Sequence, residues 1–286
     1  VTLATLRDVL APALQHGYAV AGMVVLGWED ARAYVEAAEL ERAPIILQAG
    51  PACRAHTPLP VLISMFRALG ERAGVPVVMH LDHGYSYDEC AAAIDAGFTS
   101  VMFDGSRLPL ADNIATTQRI VELARAANVS VEGEVGFVGY SQKEPSRGTD
   151  PREAMTFVAE TGVDALAISV GNVHLQEHGE GGVDAELLAA IEDVVPGPLV
   201  LHGGSGLPPD LRLRLATTTR ICKFNIGTEV RKVFGSSLRE ALRRAPEAYD
   251  RISILKETIP PVRDATRAVL ASMGSRASHE HAHSRI

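Results

Sequence analysis

His80-Leu81-Asp82-His83 puts two imidazoles and a carboxylate into four consecutive residues, at the end of the apolar run Val75-Pro76-Val77-Val78-Met79. A strand alternates its side chains between faces, so His80 and Asp82 point one way. His83 joins them only where the strand gives way to a loop. Ionisable groups at the tip of a buried strand cost free energy unless something pairs with them, and a divalent metal is a common partner. Polar residues satisfied at a strand end are the plainer reading of this stretch alone. Two later strand ends also carry histidine, His174 and His202. Three histidines from separate strand ends could surround one cation and leave a position open for substrate, the pattern of a catalytic Zn²⁺.

A second group of residues follows directly. His202 runs into Gly203-Gly204-Ser205-Gly206, and a further strand candidate ends in Asn225-Ile226-Gly227-Thr228. Glycine-rich backbone and small donors after the last two strands of a barrel form a phosphate site. Metal and phosphate sites side by side imply a small phosphorylated substrate. Asp104, Glu132 and Glu134 also end strand candidates. They read either as ion-pair partners that orient other groups, or as supports of the metal ligands, with Glu134 in an alternative metal position.

The elements that must position these residues alternate regularly. Strand candidates cover 19–25, 44–48, 75–81, 100–103, 129–135, 165–170, 199–202 and 220–226. Helical patterns between them include 29–41, 59–73, 87–96, 113–127, 152–160, 184–192 and 208–216. The strands are apolar on both faces, as parallel strands under helices are. Eight such units predict an α/β protein with a (β/α)₈ TIM barrel. A doubly wound open sheet needs a glycine-rich turn after its first strand, and Gly22-Met23-Val24-Val25 offers none. Residues 2–15 read as a helix closing the barrel bottom, and 245–273 as a helical extension suited to the barrel or a partner subunit. With no Pro/Ser-rich linker, 1–286 reads as one domain. Residues 274–286, with His279, His281 and His283, read as a flexible tail.

Composition excludes several function classes. The 286 residues carry a formal net charge of −8, which gives no general attraction for nucleic acid or anionic membranes. No apolar stretch approaches a membrane span, and the start at Val1-Thr2-Leu3 has no basic segment before an apolar run. Cys53, Cys90 and Cys222 are too few and scattered for a disulfide framework. The expectation is a soluble cytoplasmic protein with free thiols.

With these residues in view, the chain resembles the zinc-dependent class II fructose-bisphosphate and tagatose-bisphosphate aldolases. The likeness is densest at 77–84 (VVMHLDHG), 100–109 (SVMFDGSRLP), 131–136 (VEGEVG), 161–174 (TGVDALAISVGNVH), 201–208 (LHGGSGLP) and 222–231 (CKFNIGTEVR). The resemblance implies zinc at His83, His174 and His202, with His80 a neighbour of the metal. It implies Asp82 as proton donor on the aldehyde side, and Gly203, Gly204, Ser205, Asn225, Gly227 and Thr228 around the phosphate of dihydroxyacetone phosphate. A glutamate from the loop after the fifth strand would exchange the carbon-bound proton. Glu144 is the one glutamate in 137–147. The implied reaction is reversible cleavage of a ketose phosphate or bisphosphate, through an enediolate whose charge Zn²⁺ stabilises as a Lewis acid. A homodimer or homotetramer is implied as well.

The departures cluster on the substrate side. Family members read Ala-Phe-Asn-Val-Asn where this chain has Gly22-Met23-Val24-Val25-Leu26, and Gly50 takes the place of a serine that contacts substrate. Leu175 replaces a glycine after the second zinc histidine, which works against a monovalent-cation site. The chemistry is therefore expected to be kept, on a substrate other than fructose 1,6-bisphosphate. A metal-dependent isomerase or hydrolase on the same barrel, or a non-catalytic accessory relative, are the alternatives.

Overall fold

Strands apolar on both faces, separated by amphipathic helices, bury both surfaces only as a parallel sheet covered by those helices. The computed structural model describes residues 2–139, 145–172 and 182–275 and has this arrangement. A short strand β1 (Leu3–Ala4) and helix α1 (Leu6–His16) come first. Then come β2 (Val20–Val24), α2 (Trp28–Glu41), β3 (Ile45–Ala49), α3 (Pro51–His56) and α4 (Leu59–Gly70). The next units are β4 (Val77–Gly84), α5 (Tyr87–Ala96), β5 (Ser100–Phe103) and α6 (Leu110–Ala126). They lead to β6 (Ser130–Val135), α7 (Pro151–Thr161), β7 (Ala165–Ile168) and α8 (Ala185–Glu192). The barrel ends with β8 (Leu199–Leu201), α9 (Pro209–Thr218) and β9 (Ile221–Ile226). From β2 to β9 each strand pairs in parallel with the next, and β9 pairs with β2. The ring is closed, and the chain is a (β/α)₈ barrel.

The N-terminal segment differs from a continuous helix over 2–15. Leu3 and Ala4 extend beside Val77 and Val78, and the helix starts after Thr5. Thr5 is the reason: its hydroxyl accepts the N–H of Asp8 (3.3 Å), and the Asp8 carboxylate accepts the N–H of Thr5 (2.8 Å). This reciprocal cap fixes the helix start. Leu6, Val9, Leu10 and Ala13 then close the barrel bottom against Val20, Ile46, Val78 and Val200.

The C-terminal extension also divides differently. The helix after β9, α10 (Thr228–Arg244), ends where the extension was expected to begin. Of its residues, Val230 and Ala241 are buried. The extension itself is α11 (Arg251–Lys256) and α12 (Ile259–Ala271). Asp250 caps α11 and Pro260-Pro261 open α12, which breaks the segment in two. α12 packs on α2 of its own chain, where Arg267 meets the Glu41 carboxylate at 2.7 Å.

Because Leu10 is fully buried at the barrel floor, Leu10→Ala is expected to cost about 2–4 kcal/mol in urea unfolding.

Candidate active site

β4 does not stop at Leu81. Its register against β5 shifts between Leu81 and Gly84, and His83 adopts φ +51°. A bulge with a left-handed residue breaks the alternation of side chains. Asp82 and His83, neighbours in sequence, consequently line one cavity at the barrel mouth. Asp82 Oδ1 accepts from Gln48 Nε2 of β3 (2.8 Å) and Asn225 Nδ2 of β9 (3.2 Å). The Gln48 amide fits there because Gly22 of β2 has no side chain: a Cβ there would lie 2.2 Å from Gln48 Oε1. Asp82 Oδ2 sits beside Gly50, 3.3 Å from where a Cβ would be.

His83 and His202, from opposite parts of the ring, meet edge to face with centroids 4.8 Å apart. The ligand atoms of Asp82, His83 and His202 lie within 4.8 Å of one another, as do those of His83, Asp104 and Glu134. His83 Nδ1 is 2.8 Å from Asp104 Oδ2, and Asp104 Oδ1 accepts from the Ser106 hydroxyl (2.6 Å) and N–H (3.2 Å). Glu134 Oε2 is buried and makes no hydrogen bond among the described residues. It lies 3.7 Å from His202 Nδ1 and 4.0 Å from His83 Nδ1, too far for hydrogen bonds. Burial works against charge on His83, but Asp82, the Asp104 hydrogen bond and Glu134 outweigh it and hold the imidazole at about 9. Burial, reinforced by the Asp104 charge, pushes Glu134 up to about 8. Asp104 goes the other way: burial raises it, but the hydrogen bond and charge of His83 draw it well below the usual carboxylate range.

Beneath this group lies a buried ion pair. Lys223 Nζ is 2.6 Å from Glu132 Oε2, and Glu132 Oε1 is 3.2 Å from His202 Nε2. His80 stands beside the pair, with Nε2 3.4 Å from Lys223 Nζ and Nδ1 2.8 Å from Ser100 Oγ. Burial and the Lys223 charge push His80 well below the ordinary histidine range. It is a neutral neighbour one layer below the mouth.

The second side of the cavity is built from glycines. Gly203 takes φ +70°, and Gly204–Gly206 forms a single 3₁₀ turn. A Cβ on Gly204 would sit 3.1 Å from Phe224 Cβ, so the turn can lie flat on β9. The Gly227 N–H donates to Ser205 Oγ at 3.0 Å, which joins the loops after β8 and β9. Gly203, Ser205, Asn225, Gly227 and Thr228, where α10 starts, line the cavity together with Arg231. The facing wall is Val24, Leu26, Gly50, Pro51, Ala52 and Cys53, and the volume is about 270 Å³.

Of the residues singled out by sequence, Asp82, His83, His202, Glu134 and the glycine-loop set come together. Glu144, His174, Leu175 and the tail histidines lie outside the described residues. Sequence reasoning passed over Gln48, Lys223 and Arg54. A lysine inside Ile221-Cys222-Lys223-Phe224, two residues before Asn225, was the available signal: period two puts both on one face.

Lys223 and Glu132 are both fully buried. Lys223→Met, which strands the carboxylate, is expected to cost about 3–5 kcal/mol in chemical denaturation. Adding Glu132→Gln in the same chain should recover a large part of that loss.

Comparison with known proteins agrees with the fold. The family model for class-II fructose-bisphosphate aldolase matches residues 4–278. The chain is 38% identical over 277 residues to a fructose-bisphosphate aldolase of Geobacillus stearothermophilus, covering 94% of each. It is 37% identical over 279 residues to a 6-phospho-5-dehydro-2-deoxy-D-gluconate aldolase of Bacillus licheniformis, covering 95% of this chain and 94% of the relative. The crystal structure of the YdjI aldolase from Escherichia coli K12 superposes with a TM-score of 0.83 at 28% identity, over 96% of this chain and 98% of the other. A family match and relatives that both run nearly end to end lead to one conclusion: the chain belongs to the class-II fructose-bisphosphate aldolase family.

Proposed function

We propose that this aldolase uses a divalent metal, Zn²⁺, to cleave a ketose phosphate reversibly into dihydroxyacetone phosphate and an aldehyde, and that fructose 1,6-bisphosphate is not its preferred substrate. The observation that carries the reading is the convergence of Asp82, His83 and His202 within 4.8 Å beside a cavity walled by glycine-rich loops.

The residues fit a metal. Glu134 Oε2 is a buried acceptor without a hydrogen bond among the described residues, set between two imidazoles at 3.7 and 4.0 Å. His83, His202 and, by the family resemblance, His174 would hold the ion, with Glu134 in an alternative position. When bound, the ion supplies Lewis-acid stabilisation of the negative charge that carbon–carbon cleavage leaves on oxygen. The chain's own residues do the rest. Gly203, Gly204, Ser205, Asn225, Gly227 and Thr228 bind the phosphate and so orient the ketone. Asp82, with one oxygen held by two amide groups, moves the hydroxyl proton on the aldehyde side. Glu144 exchanges the proton at carbon.

The wall opposite the phosphate loops supports a different substrate. Val24, Leu26 and Gly50 offer no side-chain donor to a second phosphate or its neighbouring hydroxyls. Relatives at 38% and 37% identity carry two different substrate names, so overall likeness does not choose between a bisphosphate and a phosphorylated deoxygluconate. A cytoplasmic homodimer or homotetramer completes the reading. Among the described residues no helix is long and apolar enough to cross a membrane. Trp28 and Ile252 line an exposed groove that suits a neighbouring subunit.

Release of a triose phosphate from a ketose phosphate, abolished by a chelator and restored by Zn²⁺, is the test of the reaction class. Asp82→Ala should keep the metal and lower kcat by about 10²–10⁴-fold; His202→Ala should lose metal and turnover together. Near-normal turnover in Asp82→Ala would remove its proposed role. In a panel of ketose phosphates, kcat/KM for fructose 1,6-bisphosphate should fall about 10²-fold or more below the best substrate, since each missing hydrogen bond to a charged group costs about 1.5–3 kcal/mol. Cleavage of fructose 1,6-bisphosphate as efficient as any other in the panel would refute the specificity.

A further inference from the structure

Arg54, in the short helix between β3 and α4, takes no part in the chemistry proposed above. Its side chain is only 15% exposed. Nη1 donates to the carbonyls of Ala49 (2.6 Å) and Asp82 (2.6 Å), and Nη2 to the carbonyl of His83 (2.9 Å). Nη2 also meets the Glu89 carboxylate at 3.3 Å. One guanidinium thus binds three backbone carbonyls at the tips of two strands.

Those carbonyls belong to the stretch where the sheet ladder stops. Pairing of β3 with β4 ends at Ala49 and Leu81, and pairing of β4 with β5 skips Asp82 and His83 before resuming at Gly84. His83 sits there with φ +51°. A non-glycine residue in the left-handed region costs roughly 1–2 kcal/mol and persists only where its surroundings hold it. The fork of Arg54 is the group that spans the gap. A planar guanidinium can serve three acceptors at once, where a lysine presents a single centre. Pro51, Ala52 and Cys53 of the same helix line the cavity, so Arg54 also ties that wall to the strand carrying Asp82 and His83.

We propose that Arg54 is a positioning residue: its guanidinium holds the Asp82–His83 backbone in the left-handed bulge that turns the proton-transferring carboxylate and the metal-ligating imidazole into one cavity. The inference rests on the roles given to Asp82 and His83 above. It implies that metal affinity and turnover depend on a side chain that touches neither metal nor substrate.

The test compares Arg54→Met with the wild type. In a crystal structure of Arg54→Met, His83 is expected to leave positive φ and its ring to turn away from His202. The dissociation constant for Zn²⁺, measured on metal-free protein by competition with a chromogenic chelator, should rise about 10–100-fold, as for other residues that support metal ligands. kcat should fall with it, and methylguanidinium should restore part of both. Glu89→Gln, which removes the charge of the exposed ion pair and keeps an acceptor for the Tyr85 N–H, should leave the affinity unchanged. An unaltered His83 conformation with wild-type metal affinity in Arg54→Met would overturn the proposal. Should that variant not fold, Arg54→Lys carries the same comparison. A wild type that takes up no divalent ion would defeat the metal reading instead, and the His83 backbone would still decide the role of Arg54.

Discussion

Charge buried without water has to be matched by charge or by hydrogen bonds, and the mouth of this barrel is organised around that requirement. Lys223 and Glu132 neutralise one another at 2.6 Å, and Glu132 extends the chain to His202. Asp104 meets His83, and Glu134 lies between the two imidazoles. Asp82 is stabilised by the amides of Gln48 and Asn225. In a low-dielectric interior an unpaired member of such a network is costly, so these side chains constrain one another's positions more tightly than packing alone would. A cation held by the imidazoles and carboxylates extends the same logic, because it supplies positive charge where acidic groups are concentrated.

The rest of the fold divides labour around that network. The bottom of the barrel is apolar and closed by α1, where Leu6 and Leu10 are fully buried. The larger apolar core lies between the strands and the surrounding helices, and the mouth carries the polar groups. The glycines after β8 and β9 perform a third task. They let two loops lie against each other, with Ser205 and Gly227 hydrogen-bonded, and bring the start of α10 to the cavity. A phosphate bound there would gain from backbone donors and the helix dipole together.

Specificity and chemistry occupy different walls of the same cavity. The proposed metal and phosphate positions lie on the side of His83, His202 and the loops after β8 and β9. The facing wall presents Val24, Leu26 and Gly50, which offer no side-chain hydrogen-bond donor. Gly22 gives that side a further function, since its missing Cβ lets Gln48 reach Asp82. The wall is thus coupled to Asp82, to its carboxylate through Gln48 and, from α3, to its backbone carbonyl through Arg54. A change of substrate on this scaffold has to preserve both connections.

Much of this was legible in the chain itself. The alternation of apolar runs and helical patterns pointed to a parallel sheet covered by helices, and eight such units without a glycine-rich turn after the first strand pointed to the barrel. His80-Leu81-Asp82-His83, His202 to Gly206 and Asn225 to Thr228 stood out because polar and glycine residues at strand ends break the apolar pattern. The start of the first helix was misjudged by a few residues because Leu3 and Ala4 pair with β4 before the Thr5 cap, and α10 was not assigned at all. Lys223, Gln48 and Arg54 escaped notice for a different reason. Each acts on a residue far away in sequence, Lys223 on Glu132, Gln48 on Asp82 and Arg54 on the His83 carbonyl. The sequence by itself determined which residue types stand at each strand end. Only the tertiary structure decided which of them meet, because closing the ring sets the distances across it, and a single left-handed residue at His83 decides which face Asp82 and its neighbour share.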